Sequence, residues 1–120
     1  MVRVTIERER SSGRIVRCSL NGHAQYDEPG KDLVCAGVST VAFGTVNAVE
    51  ALLGIGLDCA TDEAEGRFEF EVPDVPDPKR AEQMQLLLES MVVMLETIEQ
   101  SYGSYIKVNH IRVQGRERTC

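Results

Sequence analysis

The sequence has no closely spaced pair of cysteines. Its four thiols, Cys18, Cys35, Cys59 and Cys120, stand 17, 24 and 61 residues apart, and only two histidines, His23 and His110, could join them. Structural zinc sites draw their ligands from close pairs in sequence, so no metal site is expected and no other cofactor is called for. No uninterrupted run approaches the ~20 apolar residues that span a bilayer. The first residues, Met1-Val2-Arg3-Val4-Thr5-Ile6-Glu7, alternate like a strand and lack the apolar centre of a signal peptide. The expectation is therefore a cytoplasmic protein with no membrane partner, in a compartment where thiols stay reduced and a disulfide framework does not form. Basic residues are also short, at 13 against 19 acidic, for a net charge of −6. Phosphate binding needs a basic surface, so direct contact with nucleic acid is not expected. An acidic surface would steer a basic peptide or protein inward, or would simply keep the chain soluble.

What is present fits one packed unit. Of 120 residues, 42% are hydrophobic and 27% charged, which suits a domain over 1–114 followed by a polar tail, 115–120. Alternation predicts strands over 2–8 and 14–21, joined by a Ser11-Ser12-Gly13 turn. Pro29-Gly30 punctuates a loop over 22–31. Asp32 is then a candidate N-cap for a helix from about Leu33 to Leu53. No charge falls between Asp32 and Glu50, so this helix is expected to be largely buried. Gly37, Ser39, Thr40, Gly44, Thr45 and Asn47 favour a soluble core helix over a membrane span. Gly37, Thr40, Gly44 and Ala48 form a small-residue stripe, suited to helix packing within the chain or to a subunit interface. A second hairpin is expected over 57–63 and 66–72. Asp77 caps a second helix through about residue 101, with Pro78 at its first position. A last strand over 105–114 changes phase near Asn109-His110, which suggests a bulge or a change of exposed face. The order is ββαββαβ: an α+β fold with an antiparallel or mixed sheet and two helices.

Three thiols read as bland. Cys18 and Cys59 lie among apolar strand neighbours, where cysteine acts as a small hydrophobe, and Cys120 ends a tail that cannot hold a geometry. Cys35 differs because it falls in the first turn of the expected helix. There free N–H groups and the positive helix end would favour a thiolate and could donate to an oxyanion. A base is still needed, and His23, twelve residues earlier on a loop, is the candidate. The plain alternative is a buried helix cysteine and a solvated loop histidine, since spacing does not show that the two side chains meet. His110 reads as an ordinary strand residue.

Gly22-His23-Ala24, a loop through Gly30, and Asp32-Leu33-Val34-Cys35-Ala36-Gly37-Val38-Ser39 resemble the ribosomal-processing cysteine protease family Prp (YsxB-like). The resemblance spans roughly residues 1–114, and Gly37 and Thr40 stand where that family often has alanine. It implies a cytoplasmic bacterial endopeptidase that removes a short N-terminal extension from a large-subunit ribosomal protein. In it Cys35 would be the nucleophile and His23 the general base. Gly22, Asp32 and Ser39 match the remaining motif positions and would support the site or touch substrate. The resemblance also implies a homodimer. The competing reading is a non-catalytic ribosome-assembly factor that binds a basic ribosomal protein; a thiol redox sensor would need a resolving cysteine near Cys35.

Overall fold

The computed structural model describes residues 1–22, 29–62 and 64–114. The expected order is found: β1 (Val2–Glu9), β2 (Ile15–Asn21), α1 (Pro29–Leu53), β3 (Asp58–Asp62), β4 (Arg67–Glu71), α2 (Pro78–Ser101) and β5 (Ile106–Val113). The strands form one sheet in the order β3-β4-β2-β1-β5. β5 pairs parallel with β1, and the other neighbours are antiparallel, so the sheet is mixed.

Register decides which side is covered. Val4 lies opposite both Leu20 and Val108, Ile6 opposite Cys18, and Cys18 opposite Phe70. These residues share one face, and Val4, Ile6, Cys18 and Phe70 are fully buried there beneath the helices. Each such side chain contributes about 1.5–3 kcal/mol on burial. The other face is polar, with Arg17 reaching Glu7 at 2.8 Å and Glu69 at 2.6 Å. Period-two alternation in the sequence is thus a two-layer fold with helices on one side only.

The helices run alongside each other in opposite directions. A Cβ on Gly37 would meet Ile98 at 3.6 Å, while Arg80 near the start of α2 donates to the carbonyl of Leu53 at the end of α1. Asp77 caps α2 as expected, accepting from the Lys79 N–H at 3.1 Å. A bulge does occur, but in the first hairpin: Arg8 pairs with Ile15, so Val16 is skipped. The Gln85 side chain satisfies both main-chain groups of Ile15, at 2.9 and 2.8 Å.

Five expectations need correction in whole or in part. α1 begins at Pro29, so Pro29-Gly30 opens the helix and Asp32 is not its N-cap; proline suits a first turn whose N–H groups have no helical partner. α1 is not largely buried. Val34, Val38, Ala42, Thr45 and Val49 face inward, while Leu33, Phe43 and Leu52 are 59%, 45% and 70% exposed. By length and composition Leu33–Leu53 could cross a membrane, yet here one side lies on the core and polar small residues occupy much of the other. The small-residue stripe is split: Gly37 faces α2, and nothing lies within 4 Å of a Cβ on Gly44. β5 is unbroken, pairing with β1 from Ile106 to Val113, so it has no bulge; the change of face is found, with Ile106 buried on one side and Ile111 exposed on the other. Cys59 is exposed rather than packed, because every residue of edge strand β3 is exposed.

Candidate active site

The end of the sheet where β1 begins and β2 finishes meets the N-terminal half of α1 in a groove of about 300 Å³. Gly22, Cys35 and Ser39 all line it, so three of the five residues picked from the sequence converge. Helix geometry explains part of this. Cys35, Val38, Ser39, Ala42 and Phe43 recur at spacings of three and four, which puts them on one side of α1. The facing wall is Leu20, Phe68 and Thr61, and the Phe43 and Phe68 rings stack tilted at 4.3 Å between centroids. Val2, Asn21, Gly66 and Arg67 complete the mouth.

Gly22 is fixed by its neighbours. Its φ is +144°, and a Cβ would lie 2.7 Å from the Met1 carbonyl oxygen and 2.9 Å from the Val2 Cα. Its N–H donates to the Gly66 carbonyl at 2.9 Å. Only glycine lets β2 pass this close to β1 and continue toward residue 23. His23 itself lies outside the described residues, as do the tail 115–120 and Cys120. Asp32 is in α1 one turn before Cys35. Cys35 is the seventh residue of α1, not a first-turn residue. Its own N–H therefore belongs to the helical ladder, and the dipole, which acts within the first turn, is not what singles it out.

Contrast with the other described thiols does single it out. Cys18 is fully buried, and burial pushes its thiol up to about 12, against a smaller opposing pull from Arg17. Cys59 is also raised, by partial burial first and then by the Asp58 and Glu50 carboxylates. Both are held as thiols at neutral pH, and the thiolate is the nucleophilic form. Cys35 is half-buried at the wall of an open groove. A second groove of about 340 Å³, between β2 and Pro73–Pro76, contains neither cysteine nor histidine. His110 stands at the opposite end of β1, bonded to Glu96 at 2.9 Å, and takes no part in the thiol's groove. No cluster of metal-ligating side chains occurs among the described residues.

The groove walls were not picked out from the sequence. Phe43 and Phe68 carry no chemistry of their own and read as core; the available signal was that Phe43 sits two turns beyond Cys35 on the same side of the helix.

A thiol on the wall of a groove with room for several residues of extended chain is the arrangement of a cysteine protease. The family description cysteine protease Prp matches residues 1–107, and the chain belongs to that family. It is 44% identical over 108 residues to the ribosomal processing cysteine protease Prp of Bacillus subtilis, covering 90% of this chain and 96% of that one. A Prp from Staphylococcus aureus, solved in complex with a substrate peptide, superposes with a TM-score of 0.82 at 34% identity, over 92% of this chain and all of that one. The same S. aureus protease with a covalently linked product peptide gives 0.76 at 32% identity, again over 92% of this chain and 100% of that one.

Proposed function

We propose that this protease removes an N-terminal extension from a large-subunit ribosomal protein, with Cys35 as nucleophile and His23 as general base. The observation that carries the reading is the groove: Cys35 stands in it with Gly22 and Ser39, while burial and nearby carboxylates hold Cys18 and Cys59 as thiols. The covalently linked peptide on the S. aureus relative supports an acyl-enzyme route. In that route His23 takes the Cys35 proton and the sulfur adds to the scissile carbonyl. The C–N bond breaks as the imidazolium returns its proton to the leaving amine. Water, deprotonated by the same imidazole, then splits the thioester, freeing the carboxylate and restoring the thiol. Ser39, one turn after Cys35, borders the peptide, and Asp32 is assigned a supporting role by its place in the motif. Gly22 sets where that segment leaves β2.

The ribosomal substrate follows from the relatives' shared description and suits the acidic balance of the chain. The enzyme works in the cytoplasm, where ribosomal proteins are made. It acts as a homodimer, a reading supported by the exposed Leu33 and Leu52 on α1 and the open side of Gly44. The test is cleavage of a peptide spanning the extension junction by wild type, Cys35→Ala and His23→Ala. Both variants are expected to be inactive. Product from either would remove that residue from the mechanism, and tight binding without cleavage by wild type would favour the assembly-factor reading.

A further inference from the structure

The groove ends at Thr61, on the edge of the sheet. Among the described residues β3 is bonded only to β4, and all five of its residues are exposed. An open edge presents a row of unpaired N–H and C=O groups, which natural sheets usually guard. The opposite edge shows such a guard, since the Glu99 carboxylate of α2 accepts from the Val108 N–H of β5 at 3.0 Å. Among the described residues no side chain bonds to the main chain of Asp58–Asp62.

The charges on β3 select what can pair there. Asp58 lies opposite Glu71, a like-charged pair on the polar face, and neither forms an ion pair among the described residues. Like charges directly opposite each other are unfavourable, and a cation from an added strand would relieve them. A second copy of β3 is disfavoured, because antiparallel pairing centred on Ala60 would bring Asp58 of one copy against Asp62 of the other. We infer that β3 binds the substrate itself: the stretch of peptide that leaves the groove at Thr61 adds to β3 as a sixth strand, with Lys or Arg side chains chiefly over Asp58 and Glu71, and secondarily over Asp62, which already lies opposite Arg67. Backbone pairing of this kind supplies affinity with little demand on sequence, and the acidic face limits it to basic stretches. The inference rests on the peptidase reading, and it adds a docking strip that begins where the groove stops.

The test uses junction peptides carrying a single N-methyl group at successive amides outside the groove. Their kcat/KM is measured with wild type and their Kd by fluorescence anisotropy with Cys35→Ala, so docking is read apart from turnover. The expected result alternates with period two: about tenfold weaker at every second position, the size of one lost hydrogen bond, and unchanged between. Asp58→Asn with Asp62→Asn should raise KM several-fold at low salt, leave kcat unchanged and flatten the salt dependence. Indifference to N-methylation at every position, or an unaltered salt dependence in the double variant, overturns the inference. Wild type that binds with the alternating pattern but never cleaves would uphold the docking strip and instead overturn the proposed cleavage.

Discussion

The two ends of β1 lie about 20 Å apart along the strand, and they are built differently. At the Arg8 end, polar side chains tie the sheet to α2. Arg8 grips Glu89 with two nitrogens at 2.6 and 3.0 Å and also donates to the Gly13 carbonyl at 3.0 Å. Gln85 holds Ile15 beside it. At the Val2 end the groove walls are mostly apolar, and the ties are main-chain ones, among them the Gly22 N–H to the Gly66 carbonyl at 2.9 Å and the Val2 N–H to the Tyr105 carbonyl at 2.8 Å. One end spends its polar groups on itself. The other places a thiol, a serine and an arginine on the lining of an open groove.

The comparison breaks first at Cys35. Cys35→Ala is expected to lower kcat/KM by about 10⁴-fold or more, because the other nucleophilic groups described in the groove, the Ser39 and Thr61 hydroxyls, are far weaker nucleophiles than a thiolate. Thermal stability should shift by only about 2 °C, since Cys35 is half-buried at a groove wall. The reverse holds at the far end, where Arg8→Ala should cost stability and leave kcat/KM within about twofold. Activity lost in Arg8→Ala, at equal folded fraction, would mean that the two ends are coupled.

Next in size is Gly22→Ala. The new methyl would lie 2.7 Å from a main-chain oxygen that has no rotamer to escape into, at a φ of +144°. A loss of about 1–3 kcal/mol in denaturant unfolding is expected, together with reduced cleavage as the exit toward residue 23 shifts. A variant as stable as wild type would show that β1 and β2 separate here at little cost.

How much of this was legible beforehand follows the physics of each signal. Strands and helices were readable because alternation and capping are local: Asp77-Pro78 marks the start of α2 in both sequence and structure. The start of α1 was misplaced because Pro29-Gly30 is equally a turn and a first helical turn, and only the rest of the fold decides. Its burial was misjudged because uncharged is not the same as buried; Ser39, Thr40, Gly44 and Asn47 are exposed. Cys59 looked like core until the strand order put β3 at an edge, and order is a long-range property. Cys35, Gly22 and Ser39 were found through a motif, whereas the Phe43–Phe68 wall needed the sheet to bring β4 to α1.

The third effect tests the ionic end by pH. Glu89 is held below its ordinary carboxylate value of 4.5, first by the Arg8 hydrogen bond, with burial opposing and the Arg8 charge assisting. A depressed folded value stabilises above the unfolded value and is lost as pH falls through the folded one. Glu89→Gln should therefore cost about 1 kcal/mol at pH 7, a modest figure because the Glu89 side chain is 44% exposed. The difference from wild type should shrink as pH drops below 4.5. A difference that persists unchanged at acid pH would assign the cost to packing rather than to charge.

The smallest effect is expected one residue pair further out. His110 lies between two partners, its Nδ1 3.4 Å from the Arg8 Nε and its Nε2 2.9 Å from the Glu96 carboxylate. The His110 and Glu96 side chains are both well exposed, at 37% and 44%. Glu96→Gln keeps a hydrogen-bonding partner for Nε2 and removes only a charge that water already screens, so it should change stability by less than about 0.5 kcal/mol. Equilibrium unfolding of Glu96→Gln beside Glu89→Gln measures this directly. A larger loss for Glu96→Gln would mean that Arg8, Glu89, His110 and Glu96 act as one unit. The ionic end would then hold α2 through a cooperative network, and the contrast with the sparsely tied groove end would be sharper still.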